Sequence, residues 1–336
     1  MESKNKKNAI YIIILLPCIF LLFGFFWAFN NRSKVVPAKY NEICVSYSTD
    51  SNYIFPTLVS MTSLMKKANN NTFCKFYILH NELSNEDKAK LNSISKKYKN
   101  CSVDLVDVKD SFSNSYEGRW SVATYFRLLL PDILKNKSKC LYLDGDTIVR
   151  HDLYDMFNTD LSDFYIAGVH DGYLDEKKSP NYYREILGLE DVNSYVCAGV
   201  LLMNLEKMRN DNICNISKDL VLQNDKDKKF SCLDQDILNK VCYGHIKLLP
   251  FKFGMHTHVL GSYSEKIYTK NLGISQNEFS KMKNDPTIVH FSAGKPWHKI
   301  HNNVENFCKE WWDYARETDY INEIEEKYPL GQSLRY

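Results

Sequence analysis

The stretch Cys140-Leu-Tyr-Leu-Asp-Gly-Asp-Thr-Ile-Val-Arg150 runs from four mostly apolar residues into Asp144-Gly145-Asp146 and then turns apolar again. The first part reads as a buried strand. Two carboxylates at its end repel each other and lose hydration unless something positive lies between them. Residues i and i+2 of an extended chain point to one side, so Asp144 and Asp146 can face one object, and Gly145 lets the backbone come close to it. Hard oxygen ligands suit Mg²⁺ or Mn²⁺, ions that also bridge phosphate oxygens. The competing reading is a solvated Asp-Gly hairpin turn, but no alternating partner strand follows Asp146. The loop is not of the calcium EF-hand type, since no third acidic ligand follows in register.

Upstream, the chain alternates between two periods. Glu42 to Ser48 has strand composition, and Tyr53 to Ala68 carries apolar residues at helical spacing with Pro56 in the first turn. Phe73 to Leu79 is a second strand, and Ser84-Asn-Glu-Asp87 opens a helix to about Tyr98. Cys101 to Val108 is a third strand, Ser121 to Leu134 a helix broken near Pro131, and Lys139 to Leu143 the fourth strand. This order predicts an α/β fold, a mostly parallel central sheet with helices on both faces. Ligands of such sheets bind beyond the carboxyl ends of the strands. Thr49-Asp50-Ser51-Asn52 and Asp144-Gly145-Asp146 both lie there and should converge on one pocket. Farther on, Phe164 to Val169, Val196 to Leu205 and Thr287 to Phe291 read as strands, and Asp234 to Val241 and Asn306 to Arg316 as helices.

The chain has 336 residues, 44% hydrophobic and 25% charged, with a net charge of +2. These values describe a globular protein with a real core and give no basic surface of the kind nucleic acid requires. Ile10 to Phe29 is an uncharged run of twenty residues. At about 1.5 Å per residue a helix of this length spans roughly 30 Å, a bilayer core. No small-residue cleavage site follows it, so a membrane anchor is the better reading than a signal peptide. Ten cysteines are present without a CxxC pair; Cys44, Cys74, Cys101 and Cys140 sit in strand-like runs and read as buried thiols. Gly-x-Gly-x-x-Gly, Walker A, Gly-x-Ser-x-Gly and His-Glu-x-x-His signatures are all missing. His256-Thr-His258 has no metal-binding partner by spacing.

Seven stretches in order, SYSTDSNYIFPTLVSMTSL, ATYFRLLLPDIL, CLYLDGDTIVRHDL, AGVHDG, CAGVLLMNL, CLDQDILN and HFSAGKPWH, make the chain from about Glu42 to Trp312 similar to glycosyltransferase family 8. That group includes glycogenin and bacterial lipooligosaccharide galactosyltransferases. The resemblance implies a GT-A fold, a UDP-sugar donor, Mn²⁺ with Mg²⁺ as a second possibility, and retention of anomeric configuration. It places the metal on Asp144, Asp146 and His290, with Gly145 between the two carboxylates. It puts uracil and ribose on Ser48, Asp50 and Asn52, and the phosphates near Arg127 and Lys295. Asp171, Asp234 and Gln235 fall around the transferred sugar as candidate catalytic residues, and Ala198 and Gly199 leave that sugar room. Two departures stand out. Cys197 occupies a position where the family often has Asn, and the His290–Lys295 loop is one residue shorter than the common form.

The expected layout is a short basic tail (1–9), a transmembrane anchor (10–29), a stem (30–41), a family 8 catalytic domain (42–317) and a C-terminal tail (318–336). The expected activity is transfer of a hexose, glucose or galactose, from a UDP-sugar to a hydroxyl of a glycan, glycolipid or glycoprotein. No nucleic-acid partner is expected. Two other readings stay open. One is a nucleotide-sugar-binding protein of the same fold with weak or no catalysis, for which Cys197 speaks. The other is a self-glucosylating primer like glycogenin, for which the 22 tyrosines offer acceptors and the membrane span fits poorly. A single-pass protein with its catalytic domain in a Golgi or endoplasmic reticulum lumen is the first expectation for location. A bacterial inner-membrane enzyme facing the cytoplasm is the alternative.

Overall fold

The computed structural model describes residues 40–109, 111–118, 120–172, 181–257, 265–292, 294–298 and 304–329, without the side chains of Ile267 and Asn271. The expected anchor at 10–29, the tail before it and the stem up to residue 39 lie outside the described residues. Among the described residues no helix is long and apolar enough to cross a membrane.

β1 (Asn41–Thr49), α1 (Ile54–Lys67), β2 (Thr72–His80), α2 (Asn85–Lys97) and β3 (Cys101–Asp107) follow one another as the periodicity predicts. β1 pairs in parallel with β2, β2 with β3, and β4 (Lys139–Leu143) joins the other edge of β1, also in parallel. Ile43, Val45 and Tyr47 of β1 enter one core while Cys44 enters a second. The sheet is thus covered on both faces, which is why its strands read as nearly continuous apolar runs. Leu58 and Leu91 from α1 and α2 fill the first core; Tyr125, Phe126 and Ile237 fill the second. The segment before β4 is a 3₁₀ helix (Val122–Leu129) that becomes a short α-turn (Leu130–Ile133) with Pro131 in its first turn. Proline has no N–H, and the first turn is where none is needed.

β5 (Thr147–Val149), β6 (Ile166–His170), β7 (Val196–Asn204), α3 (Ile213–Asp227), α4 (Leu233–Val241), β8 (Ile246–Leu248) and β9 (Met255–His256) come next. α5 (Gln276–Asn284), β10 (Ile288–His290), α6 (Glu305–Arg316) and α7 (Ile321–Lys327) complete the chain. Seven strands form one sheet in the order β3-β2-β1-β4-β7-β6-β8. It is mostly parallel, as expected, with β7 running against both β4 and β6. That reversal brings the start of β7 beside the end of β4, where Leu143 faces Val200.

The remaining strands form a second sheet, β5-β10-β9. The sequence shows no hairpin partner strand after Asp146, and the structure agrees. The strand that follows, β5, is three residues long. It pairs antiparallel with distant β10 and not with β4. Asp144-Gly145-Asp146 is therefore the turn by which the chain leaves the large sheet for the small one.

The stretch expected as a tail from residue 318 begins with α7. Ile324 is fully buried in the first core, and the ring of Tyr328 lies 5.8 Å from that of Trp297. Ile324→Ala should cost about 2–5 kcal/mol, the range for a buried large-to-small change. A chain stopped at Glu317 should lose at least as much, read as a lower midpoint in thermal or urea unfolding.

Candidate active site

Three elements meet at Asp144. The Asp144 amide donates to Gly199 O of β7 at 2.8 Å, and Phe291 N, just past β10, donates to Asp146 O at 2.9 Å. His290 pairs with Thr147 across β5 and β10, so its side chain arrives beside Asp146. Its Nε2 stands 3.2 Å from Asp146 Oδ1 and 3.5 Å from Asp144 Oδ2. The two aspartates converge through this turn between sheets and not through strand alternation. One ligand atom from each of Asp144, Asp146 and His290 lies within 4.8 Å of the others.

The glycines around the turn have different reasons. A Cβ on Gly199 would sit 2.2 Å from His290 Cε1 and 2.7 Å from Asp144 Oδ2, so the cluster closes only over a residue without a side chain. A Cβ on Gly145 would sit 2.5 Å from Thr57 Oγ1 in α1. Gly145 is thus needed for packing against α1, a reason beyond the close approach to a ligand that the sequence suggested.

Arg127 is the main counter-charge. Its guanidinium is buried and reaches Asp144 Oδ1 at 2.8 Å and Asp234 Oδ2 at 3.0 Å, and it donates to the backbone oxygens of Thr124 and Ala198. The face of Tyr142 lies 4.2 Å away, and the Tyr142 hydroxyl donates to Asp144 Oδ1 at 3.0 Å. Each guanidinium nitrogen thus has a protein acceptor. Arg127 lines the cavity and at the same time braces Asp144 against Asp234. Burial pushes the Asp234 carboxyl up to about 6 against the pull of Arg127. Burial also works against ionised Asp146, but Lys295 and His290 outweigh it and hold that carboxyl well below its ordinary range. For His290, burial disfavours the charged form and Asp146 overcomes it, raising the imidazole above its usual value.

α4 supplies the opposite wall. The Gln235 amide is fixed at both ends: Oε1 accepts from Ala198 N at 3.0 Å, while Nε2 donates to Asp171 Oδ2 at 2.8 Å and to the Tyr195 hydroxyl at 3.2 Å. Asn239, one turn later, exchanges two 2.8 Å bonds with the Val196 backbone and so locks α4 to the start of β7. The loop after β1 supplies the third wall. Asp50 Oδ1 accepts from Asn52 N at 2.8 Å and Tyr53 N at 3.2 Å, closing the turn that opens α1. Lys295 folds back onto Asp146 and onto Phe291 O, a placement its shortened loop left in doubt.

These walls enclose a cavity of about 640 Å³. Every residue named from the sequence lines it: Ser48, Asp50 and Asn52, Arg127, Asp144 to Asp146, Asp171, Ala198 and Gly199, Asp234 and Gln235, His290 and Lys295. Tyr53, Trp120, Thr124 and Tyr142 line it too and were not singled out. Tyr142 had a legible signal, since it lies two residues before Asp144 in the same strand.

The donor set fits a divalent ion. It offers two carboxylates and an imidazole, and Asp146 Oδ1 is buried with His290 Nε2 beside it at 3.2 Å. Two carboxylates this close are costly unless a cation meets them. Gly199→Ala should drive His290 off the carboxylates and weaken Mn²⁺ binding at least about tenfold, measured by titration calorimetry on a variant whose circular dichroism is unchanged.

The family model described as "Glycosyl transferase family 8" matches residues 44–301. A Haemophilus influenzae protein named as a glycosyltransferase is 32% identical over 212 residues, 62% of this chain and 62% of its own length. The Escherichia coli lipopolysaccharide 1,2-glucosyltransferase is 28% identical over 296 residues, 86% of this chain and 80% of that one. Among solved structures, the galactosyltransferase LgtC in complex with donor and acceptor sugar analogues superposes with a TM-score of 0.68 at 23% identity, over 82% of this chain and 96% of that one. This last likeness is one of fold, of the GT-A type. With the family model covering most of the chain and the expected residues gathered around one cavity, the chain belongs to glycosyltransferase family 8.

Proposed function

We propose that the protein is a retaining, Mn²⁺-dependent hexosyltransferase that moves glucose or galactose from a UDP-sugar to a hydroxyl of a saccharide acceptor, in the manner of the glucosyltransferase relative. The observation that carries this reading is the Asp144–Asp146–His290 cluster, walled by Ala198-Gly199 and opening into a cavity of about 640 Å³, the size of a small-molecule site.

Asp144, Asp146 and His290 would hold the divalent ion, whose contribution when bound is to offset the negative charge of a departing diphosphate. The chain's own residues do the rest. Arg127, buried between two carboxylates, aims Asp144 through a 2.8 Å ion pair. Lys295, resting on Asp146, can swing to a diphosphate oxygen and add a second positive charge there. Asp171 and Gln235 shape the sugar side of the cavity, and Gln235 cannot turn without breaking its bond to Ala198. The acceptor oxygen attacks C1 from the face the phosphate leaves. The C1–O bond to phosphate breaks as the new glycosidic bond forms, and the acceptor's proton passes to the departing phosphate oxygen. The immobilised Gln235 amide favours this course over attack by a protein nucleophile. A sugar found covalently attached to Asp171 or Gln235 by peptide mass spectrometry would instead establish the two-step route.

For location, we infer a membrane-anchored protein whose catalytic domain faces the cytoplasm of a bacterium, in place of the luminal arrangement. The named relatives are bacterial, and nucleotide sugars are cytosolic metabolites there. Cys44, Cys74, Cys140, Cys197, Cys214 and Cys242 are buried thiols, as a reducing compartment favours.

The test is a panel of UDP-hexoses with and without simple glycoside acceptors, scored by UDP release. One donor should turn over with Mn²⁺ and stop on chelation. Asp144→Ala should lower that rate by at least about 100-fold with the fold retained. Binding of UDP-sugar without turnover would support the non-catalytic reading. A hexose added to the protein itself would support the self-glucosylating one.

A further inference from the structure

His290 has two nitrogens, and the cluster uses one. Nε2 faces the carboxylates of Asp144 and Asp146. Nδ1 faces Cys197 Sγ at 3.6 Å. We propose that Cys197 is a positioning residue for the metal site: its sulfur accepts the Nδ1 proton of His290 and so holds the ring in the tautomer whose Nε2 lone pair points at the ion. The proposal rests on the reading of Asp144, Asp146 and His290 as metal ligands.

The argument begins with proton placement. A neutral imidazole that gives one nitrogen to a metal must carry its hydrogen on the other. That N–H needs an acceptor, and metal-bound histidines usually find one in a carboxylate, a carbonyl or water. Water has little access here. The His290 side chain is 6% exposed, and the ring fills the space above Gly199 so closely that a Cβ there would lie 2.7 Å from Nδ1. Among the described residues, the buried Cys197 sulfur is the acceptor at hydrogen-bond reach of Nδ1. The Gly199 amide also bonds that sulfur, which fixes it from the backbone side. A thiol sulfur is a weak acceptor, so it can take the Nδ1 proton only at the longer reach seen here.

β7 sets this geometry. Asn239 pins Val196 by both its N–H and its carbonyl, and Gln235 pins the Ala198 amide. Cys197 lies between these two fixed points, so its side chain cannot drift from the ring. The departure from the family's common asparagine then has a physical meaning. An amide oxygen and a thiol sulfur can both accept the Nδ1 proton, the sulfur more weakly and over a longer distance. The position keeps its acceptor while its chemistry changes.

The experiment is Mn²⁺ titration of the whole protein by calorimetry and by the paramagnetic resonance of free Mn²⁺, with metal-free thermal unfolding as the control for folding. Cys197→Ala should weaken Mn²⁺ binding by about 10–100-fold. Cys197→Val, which keeps the volume without an acceptor, should lose the same affinity, and Cys197→Asn should recover wild-type binding or better. A sulfur that only fills space would shift the unfolding midpoint of the alanine variant and leave its Mn²⁺ affinity alone. Wild-type affinity in folded Cys197→Ala or Cys197→Val overturns the proposal. Failure of the unaltered protein to bind Mn²⁺ overturns the metal reading of the cluster instead.

Discussion

The ion pair of Asp144 with the buried Arg127 is the interaction on which the site depends. A carboxylate at the end of a sheet strand is tolerable only if its charge is met. Arg127 meets it at 2.8 Å from one side, with the Tyr142 ring beneath the guanidinium and the Tyr142 hydroxyl on the same oxygen. Arg127 itself is buried, and its own charge is answered by Asp234 as well as Asp144. Breaking such a set by removing one member leaves an uncompensated charge inside the protein, a larger penalty than the pair's net worth. The 3₁₀ helix, β4 and α4 are thereby held in one arrangement at the point where the cavity opens.

The second constraint is a junction of sheets. Because β5 belongs to the small sheet, the chain must turn between Asp144 and Asp146, and that turn aims the two carboxylates at His290 of β10. The close fit over Gly199 and the packing of Gly145 on Thr57 leave this junction no slack. Asp144 stays partly open to the cavity, at 26% exposure, while Asp146 and His290 are nearly closed off at 8% and 6%. An ion held there would be reached from one side only, the side on which Asp171 and Gln235 lie. Lys295, now folded onto Asp146, stands in for that positive charge.

Much of this was legible in one dimension. The alternation of strand and helix up to β4 predicted the parallel half of the sheet, because local periodicity reflects which face of each element is buried. The cavity-lining residues were legible once the motifs were taken together. What the sequence hid follows from distance along the chain. β5 and β9 are two or three residues long, below the length at which a pattern exists. The reversal of β7 looks like any apolar run. The packing reason for Gly145 was hidden because Thr57, the residue it must avoid, is far away in sequence. α7 lay hidden in a polar stretch whose buried face is little more than Ile324 and Glu325.

By itself the sequence determined the α/β class, the carboxylate pair at a strand end, and the set of polar residues that would share a pocket. These are properties of local composition, period and spacing. Tertiary structure decided the roles. It made Arg127 a brace between Asp144 and Asp234, it set Gln235 between β7 and Asp171, and it brought the Cys197 sulfur to the back of His290. Each of those assignments depends on which hydrogen-bond donors are already taken by partners distant in the chain, and such competition exists only after the chain has closed on itself.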